Sequence, residues 1–195
     1  MEIKNNNKKG FALLITLLVL GVVIAVGLSV LELSQKQVKL SSNSAGSETA
    51  FHAANGGIEC ARYWRRKMAS DFENTTTNVI NLSCFNNTQD FDIDTSAVIS
   101  TTGVGSSAIY KAEYDWGLLN RCSAIEMLVM KVDVSAGSDY VVDNITDIFP
   151  GYPDGSTKTC SAGGLCTVIV SYGYSAPCAN KNIIGTVQRE VLVQF

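Results

Sequence analysis

The 195-residue chain has a single histidine, His52, and carries no charged residue between Phe11 and Leu31. It has no proline between Leu33 and Lys67. Each scarcity excludes something. With one histidine there is no His-rich metal set, and no base–nucleophile arrangement can be assigned around it. The cysteines are too widely spaced for the C-x-x-C pattern of zinc sites. The stretch GVGSSA (103–108) has G-x-G-x-x-A spacing. A dinucleotide fingerprint needs a helix after it, whereas here the alternating IYKAEYDW follows, so the stretch reads as a turn. Without proline, nothing forces a break in a helix over 33–67. The chain reads as non-enzymatic, and no cofactor is expected.

The net charge of −3 conceals an asymmetry. Residues 1–70 hold nine Lys/Arg against four Asp/Glu, and residues 71–195 hold six against fourteen. A basic stem therefore precedes an acidic head. Nucleic-acid binding by that head is not expected, because phosphate contacts need clustered cations. The six cysteines are Cys60, Cys84, Cys122, Cys160, Cys166 and Cys178. An even count in an exported chain points to disulfides. Fifteen pairings are open to six cysteines; the short SAGGL loop between Cys160 and Cys166 favours that pair.

The run Phe11–Leu31 is long enough to cross a bilayer as a helix. Lys4, Lys8 and Lys9 precede it, and positive charge holds that end in the cytoplasm. A secretory signal peptide has a shorter apolar region followed by a small-residue cleavage site, and ELSQKQVKLSSNS offers none. Beyond the run, Phe51, Ala54, Ile58, Ala61 and Trp64 recur at helical steps, predicting an amphipathic face. Arg62, Arg65, Arg66 and Lys67 crowd the helix end, where cations suit the dipole, and read as a solvated terminus. SSNSAGS (41–47) and Gly56-Gly57 are poor helix formers, so a bend or a melted stretch is expected near 41–47.

A basic leader ending in glycine, then phenylalanine, then an apolar helix that continues into an amphipathic half: this resembles the class III signal peptide of type IV pilins and pseudopilins. The resemblance is closest to PilX-type minor pilins. It is carried by KGFALLITLLVLGVVIAVGLSVLELSQ and by ETAFHAANGGIECAR, which together lie in about the first third of the chain. It implies cleavage by a prepilin peptidase between Gly10 and Phe11, with Lys8 and Lys9 in the leader, and methylation of the new terminus. The implied divisions are a leader (1–10), a transmembrane or filament-core helix (11–32), its amphipathic continuation (33–70) and a β-rich head (71–195). The implied partners are major and minor pilins, the prepilin peptidase, an inner-membrane assembly platform, and lipid before assembly. The implied location is the inner membrane first and an extracellular filament afterwards.

One departure from the family pattern is informative. Major pilins carry glutamate at the fifth mature position; here it is Ile15, and no carboxylate lies between Gly10 and Glu32. An unpaired carboxylate in hydrocarbon costs several kcal/mol and needs a partner. A subunit at the filament tip has no neighbour above it to neutralise, so its absence suits a tip-proximal or assembly-priming subunit. A K-type pseudopilin of a type II secretion system shares the departure, and a plain signal-anchored binding protein is a further alternative.

For the head, strand patterns are predicted at 79–82, 107–116, 126–134, 140–142, 166–174 and 185–195, with loops at 72–90, 149–157 and 175–182. One long helix followed by a run of strands argues α+β, with an antiparallel sheet packed on the helix. Asp90, Asp92 and Asp94 alternate in DFDIDTS and are a calcium candidate. Counted from Asp90, an EF-hand would need glycine where Thr95 stands and glutamate where Thr101 stands.

Overall fold

A computed structural model describes residues 7–74, 79–94, 96 and 99–195. Lys4 and residues 75–78 of the expected 72–90 loop lie outside the described residues, as do the side chains of Lys8 and Lys9. The fold is α+β, with one long N-terminal helix and a six-stranded antiparallel sheet. The chain forms two compact units, residues 1–44 and 45–195.

Helix α1 spans Asn7–Lys67. Helical structure continues through 41–47, so the melted stretch expected there is absent. From Phe11 to Ala45 every residue is exposed. The segment is long and apolar enough to cross a membrane. Between Phe11 and Leu31 the only polar side chains are Thr16 and Ser29, and both hydroxyls bond within the helix: Thr16 Oγ1 donates to the Leu13 carbonyl and Ser29 Oγ to the Ala25 carbonyl, each at 2.9 Å. No polar side chain in this stretch therefore resists a hydrocarbon surrounding.

The second unit begins on the same helix. Its large sheet has the order β1-β2-β4-β5-β8-β9, all antiparallel: β1 Val79–Cys84, β2 Asn87–Ile93, β4 Gly105–Asp115, β5 Cys122–Val132, β8 Leu165–Tyr174 and β9 Gln188–Gln194. A small sheet of β3 (Thr101–Thr102), β6 (Tyr140–Val142) and β7 (Lys158–Cys160) adds a further layer, and short helices α2 (Ala69–Glu73) and α3 (Ile145–Ile148) complete the unit. The β1–β2 hairpin turns through Phe85 and Asn86, both at positive φ, as a two-residue hairpin loop requires.

Strand alternation sends Tyr110, Ala112 and Tyr114 of β4 with Ile125, Met127 and Val129 of β5 into the core beneath α1. The opposite face places Leu128, Met130, Val168 and Val170 against Tyr140, Val142, Ile145 and Phe149. Burial on both faces explains the continuous apolar run in β5. Phe149 and Tyr152, inside the expected 149–157 turn, are buried in this second core. GVGSSA is a turn only in its first half, since Gly105 already begins β4. β2 is a strand, not loop, and of its seven side chains only Phe91 is buried.

The helix meets the sheet through the predicted Ala54, Ile58 and Ala61, but not through Phe51. Phe51 is exposed, and the buried strip is Ala50, Ala53, Ala54, Gly57, Ile58, Ala61 and Arg65. The physical reason is close backbone approach. A Cβ on Gly173 of β8 would collide with the Ala50 carbonyl and the Ala54 amide nitrogen. One on Gly57 would collide with Ser171 Oγ, and one on Gly56 would lie 2.5 Å from the Trp116 ring. Small residues are thus what the contact demands, and a phenylalanine cannot lie in it. Ser123 Oγ donates to the Ala53 carbonyl at 2.6 Å and accepts from Trp116 Nε1 at 2.8 Å, pinning α1 to β5.

Gly173→Ala should lower the stability of the full chain in detergent by at least about 2 kcal/mol, since the obstructing atoms are backbone. Gly57→Ala should cost less, because the Ser171 side chain can rotate away. Gly21→Ala, in open space, should leave the melting temperature unchanged. Thermal unfolding of the three variants checks the ranking; equal midpoints for Gly173→Ala and the parent would refute the close-contact account.

Candidate functional site

Two features are candidates, each in its own unit: the apolar half of α1, and the contacts that fix the head on residues 45–67. The Gly10–Phe11 bond lies within helical structure near the start of α1. Phe11 is 68% exposed and Ile15 44%. From Phe11 to Leu31, fifteen large apolar side chains stand exposed, among them Leu13, Leu17, Val23 and Ile24. At roughly 1 kcal/mol for each half-exposed aliphatic group, transfer of this stretch out of water is favourable by on the order of 15 kcal/mol. A helix apolar on all sides needs lipid or other helices around it.

The cysteines form three disulfides: Cys60–Cys84, Cys122–Cys178 and Cys160–Cys166. The last is the pair favoured by the SAGGL spacing. Cys60–Cys84 ties α1 to β1, and Cys122–Cys178 ties β5 to the loop after β8. Each stabilises by about 2–4 kcal/mol, chiefly by restricting the unfolded chain. Trp64 Nε1 adds a hydrogen bond to the Ser83 carbonyl at 3.0 Å beside the first of them.

Of the four cations at the helix end, Arg66 and Lys67 are exposed as expected, but Arg65 is 4% exposed. Its Nε donates to Thr167 Oγ1 at 3.2 Å, and its Nη1 lies 3.9 Å from Glu73 Oε1. Burial lowers its pKa from the ordinary arginine value, opposed by Glu73 and Tyr110. The sequence reading as a solvated terminus fails here because position 65 continues the buried strip that begins at Ala50.

The three aspartates do not act together. Asp90 and Asp92 stand exposed on β2. Asp94 accepts from Ser96 Oγ at 2.5 Å and from the Ser96 amide at 2.9 Å, and Lys111 Nζ sits 2.9 Å from its other oxygen. Lys111 also reaches Glu126 Oε1 at 3.0 Å. With these partners Asp94 is engaged in a protein network rather than left open for calcium. Glu113 lies near Cys122 and Cys178, but those sulfurs are bonded to each other and are not thiolate ligands. His52 lies on the exposed side of α1, 3.7 Å from Glu48 one turn earlier.

The outer face of the large sheet holds an open groove of about 340 Å³ bordered by Lys111, Glu113, Glu126, Tyr172 and Lys181. Its cations are occupied: Lys111 by Asp94 and Glu126, Lys181 by Glu113. Burial and the nearby Glu126 raise the Glu190 and Tyr172 pKa values. Comparison with protein-family models, curated proteins and solved structures finds no match.

The Ser96 and Lys111 contacts hold the Asp94 pKa down to about 2. A carboxyl group with a lowered folded-state pKa stabilises above its unfolded value, near 4, and loses that contribution as pH falls through its folded value. Asp94→Asn should therefore cost about 0.5–1 kcal/mol near neutral pH. The gap to the parent should close as pH falls from about 4 to about 2. Chemical unfolding at stepped pH measures it; a gap independent of pH would contradict the assignment.

Proposed function

We propose that the chain is a minor, tip-proximal or assembly-priming subunit of a type IV pilus or a related filament, of the PilX type. The observation that carries this reading is the exposed, carboxylate-free apolar stretch Phe11–Leu31, which belongs to the same helix that anchors the head. A span in which every polar side chain is satisfied suits lipid, and its aliphatic surface suits packing against other helices once lipid is left behind.

In this reading a prepilin peptidase removes residues 1–10 on the cytoplasmic side and methylates Phe11. The helix then passes from the inner membrane into the filament core. The disulfide-stapled head is displayed outside, where it primes assembly or contacts other subunits or surfaces. Ile15 places an aliphatic group where a major pilin needs a carboxylate. The subunit therefore brings no buried charge that would require a neighbour's terminal amine.

Gly10→Ala should block processing while leaving membrane insertion intact, since the apolar stretch is untouched. Membrane fractionation and the amino-terminal sequence of the variant test both halves. Normal processing of Gly10→Ala would favour the plain-anchor alternative. Ile15→Glu should impair filament assembly or move the subunit away from the tip, because it adds a carboxylate costing about 3 kcal/mol in hydrocarbon. Immunogold counting along filaments reads the position, and an unchanged tip distribution would oppose the tip assignment.

A further inference from the structure

The sheet face turned away from α1 is covered along part of its length by the small sheet and α3, which bury Leu128, Met130, Val168 and Val170. Beyond that cover the same face is open. The register sets its side chains in rows: Glu113 pairs with Ala124 and Ala124 with Tyr172, and in the next row Tyr174 pairs with Gln188. Ala124 is the smallest side chain among them. Its larger neighbours therefore leave a hollow over it, the groove of about 340 Å³.

Two fixed walls bound the hollow. On one side stand Ile148 and Pro150, held in place by the buried Phe149 and by Tyr152, whose hydroxyl donates to Gln194 Oε1 at 2.7 Å. On the other stands Lys181, paired with Glu113. Its loop is tied by the Cys122–Cys178 bond and by the Cys178 amide, which donates to Asp115 Oδ1 at 2.8 Å. A second hollow of about 510 Å³ shares Lys111, Asp147 and Ile148 with the first, so the groove is elongated.

The lining selects among ligands. Simple anions are disfavoured, because Glu113, Glu126 and Asp147 outnumber Lys111 and Lys181 in the first hollow and the lysines are engaged. Cations are disfavoured too, since Glu113 and Glu126 each already hold a lysine. An apolar ligand would strand these polar groups. What remains is hydrogen-bonding capacity of both kinds. Ammonium and carboxylate groups have more bonding positions than their ion pairs use, and the Gln188 amide both donates and accepts. Burial raises the Tyr172 and Tyr174 pKa values, so both phenols stay donors at neutral pH. Both tyrosines are half-buried and add aromatic surface between these groups.

We propose that this groove binds a neutral oligosaccharide. A pyranose presents the matching pattern, C–H faces that pack on aromatic rings and a rim of hydroxyls that donate and accept. The groove is at the small end of ligand sites, which span about 300–1,000 Å³, and its continuation past Lys111 gives room for further sugar units. The walls are set by a disulfide and by buried anchors, so little ordering opposes binding.

The test uses the full chain in nanodiscs of phosphatidylethanolamine and phosphatidylglycerol, which keeps glycoside detergents out of the groove. A printed panel of neutral and sialylated oligosaccharides is probed, and the binders are titrated by ligand-observed NMR. Neutral members should bind in preference to sialylated ones. Ala124→Leu fills the hollow without removing a hydrogen-bonding group, and should weaken binding about tenfold or more at an unchanged melting temperature. Gln188→Leu, on the exposed edge strand, should also weaken it, and supplies the reading if Ala124→Leu disturbs the fold. Val134→Ala, at an exposed position outside the groove, should bind as the parent does. A panel without a neutral binder would overturn the proposal. So would a preference for sialylated members, or binding that survives both Ala124→Leu and Gln188→Leu. Every groove residue lies in the 45–195 unit and none belongs to the cleavage site or the apolar stretch, so failure here is separate from failure of the filament reading.

Discussion

The head depends on one contact, the approach of the α1 backbone to β8 at Gly173. The Ala50 carbonyl and Ala54 amide sit where any side chain at 173 would be. That proximity needs alanine and glycine on the helix and glycine and serine on the sheet. Once it is made, the neighbouring features fall in place along α1. Ser123 reaches the Ala53 carbonyl, Gly56 receives the Trp116 ring, and Cys60 meets Cys84. Phe85, whose ring stacks on Trp116 at 4.0 Å, links the β1–β2 hairpin to the same seam. Glycines that weaken a helix in isolation are tolerated here because tertiary packing outweighs propensity.

The two halves of α1 solve opposite problems. Residues 46–65 bury a narrow strip of small side chains against a sheet. Residues 11–31 bury none of their aliphatic side chains and hold no unpaired polar side chain. Such a segment has a large free energy to gain from any apolar surrounding. Lipid supplies one and a bundle of like helices supplies another, and the proposed passage from membrane to filament exchanges the two. Three disulfides hold the head together, as the proposed exchange would require.

Much of this was legible in the sequence, and the exceptions share physical causes. The apolar span, the alternation Tyr110, Ala112, Tyr114 and the two-sided β5 were plain because their periodicity is strong. The β2 strand was read as loop because its burial rests on Phe91 alone, among polar residues that pair edge to edge. Of the small β3-β6-β7 layer only β6 was expected, at 140–142; β3 and β7 were missed because they are two and three residues long. Its signal was indirect: Val168, Val170, Leu128 and Met130 needed a cover. The helix face was read correctly at Ala54, Ile58 and Ala61 but wrongly at Phe51, because hydrophobic size was taken as the marker of burial. A close backbone contact selects for smallness instead, which points to Ala50 rather than Phe51. Arg65 follows from the same error.

The account's central claim is that the apolar helix is freed by cleavage and retained, not removed or left behind an intact leader. The most direct measurement is the intact mass and terminal sequence of the protein isolated from its native host, with and without reductant. The account predicts a chain beginning at N-methyl-phenylalanine 11, lighter by six hydrogens before reduction because of the three disulfides. A chain still beginning at Met1 would contradict it, leaving a plain membrane anchor with the same head.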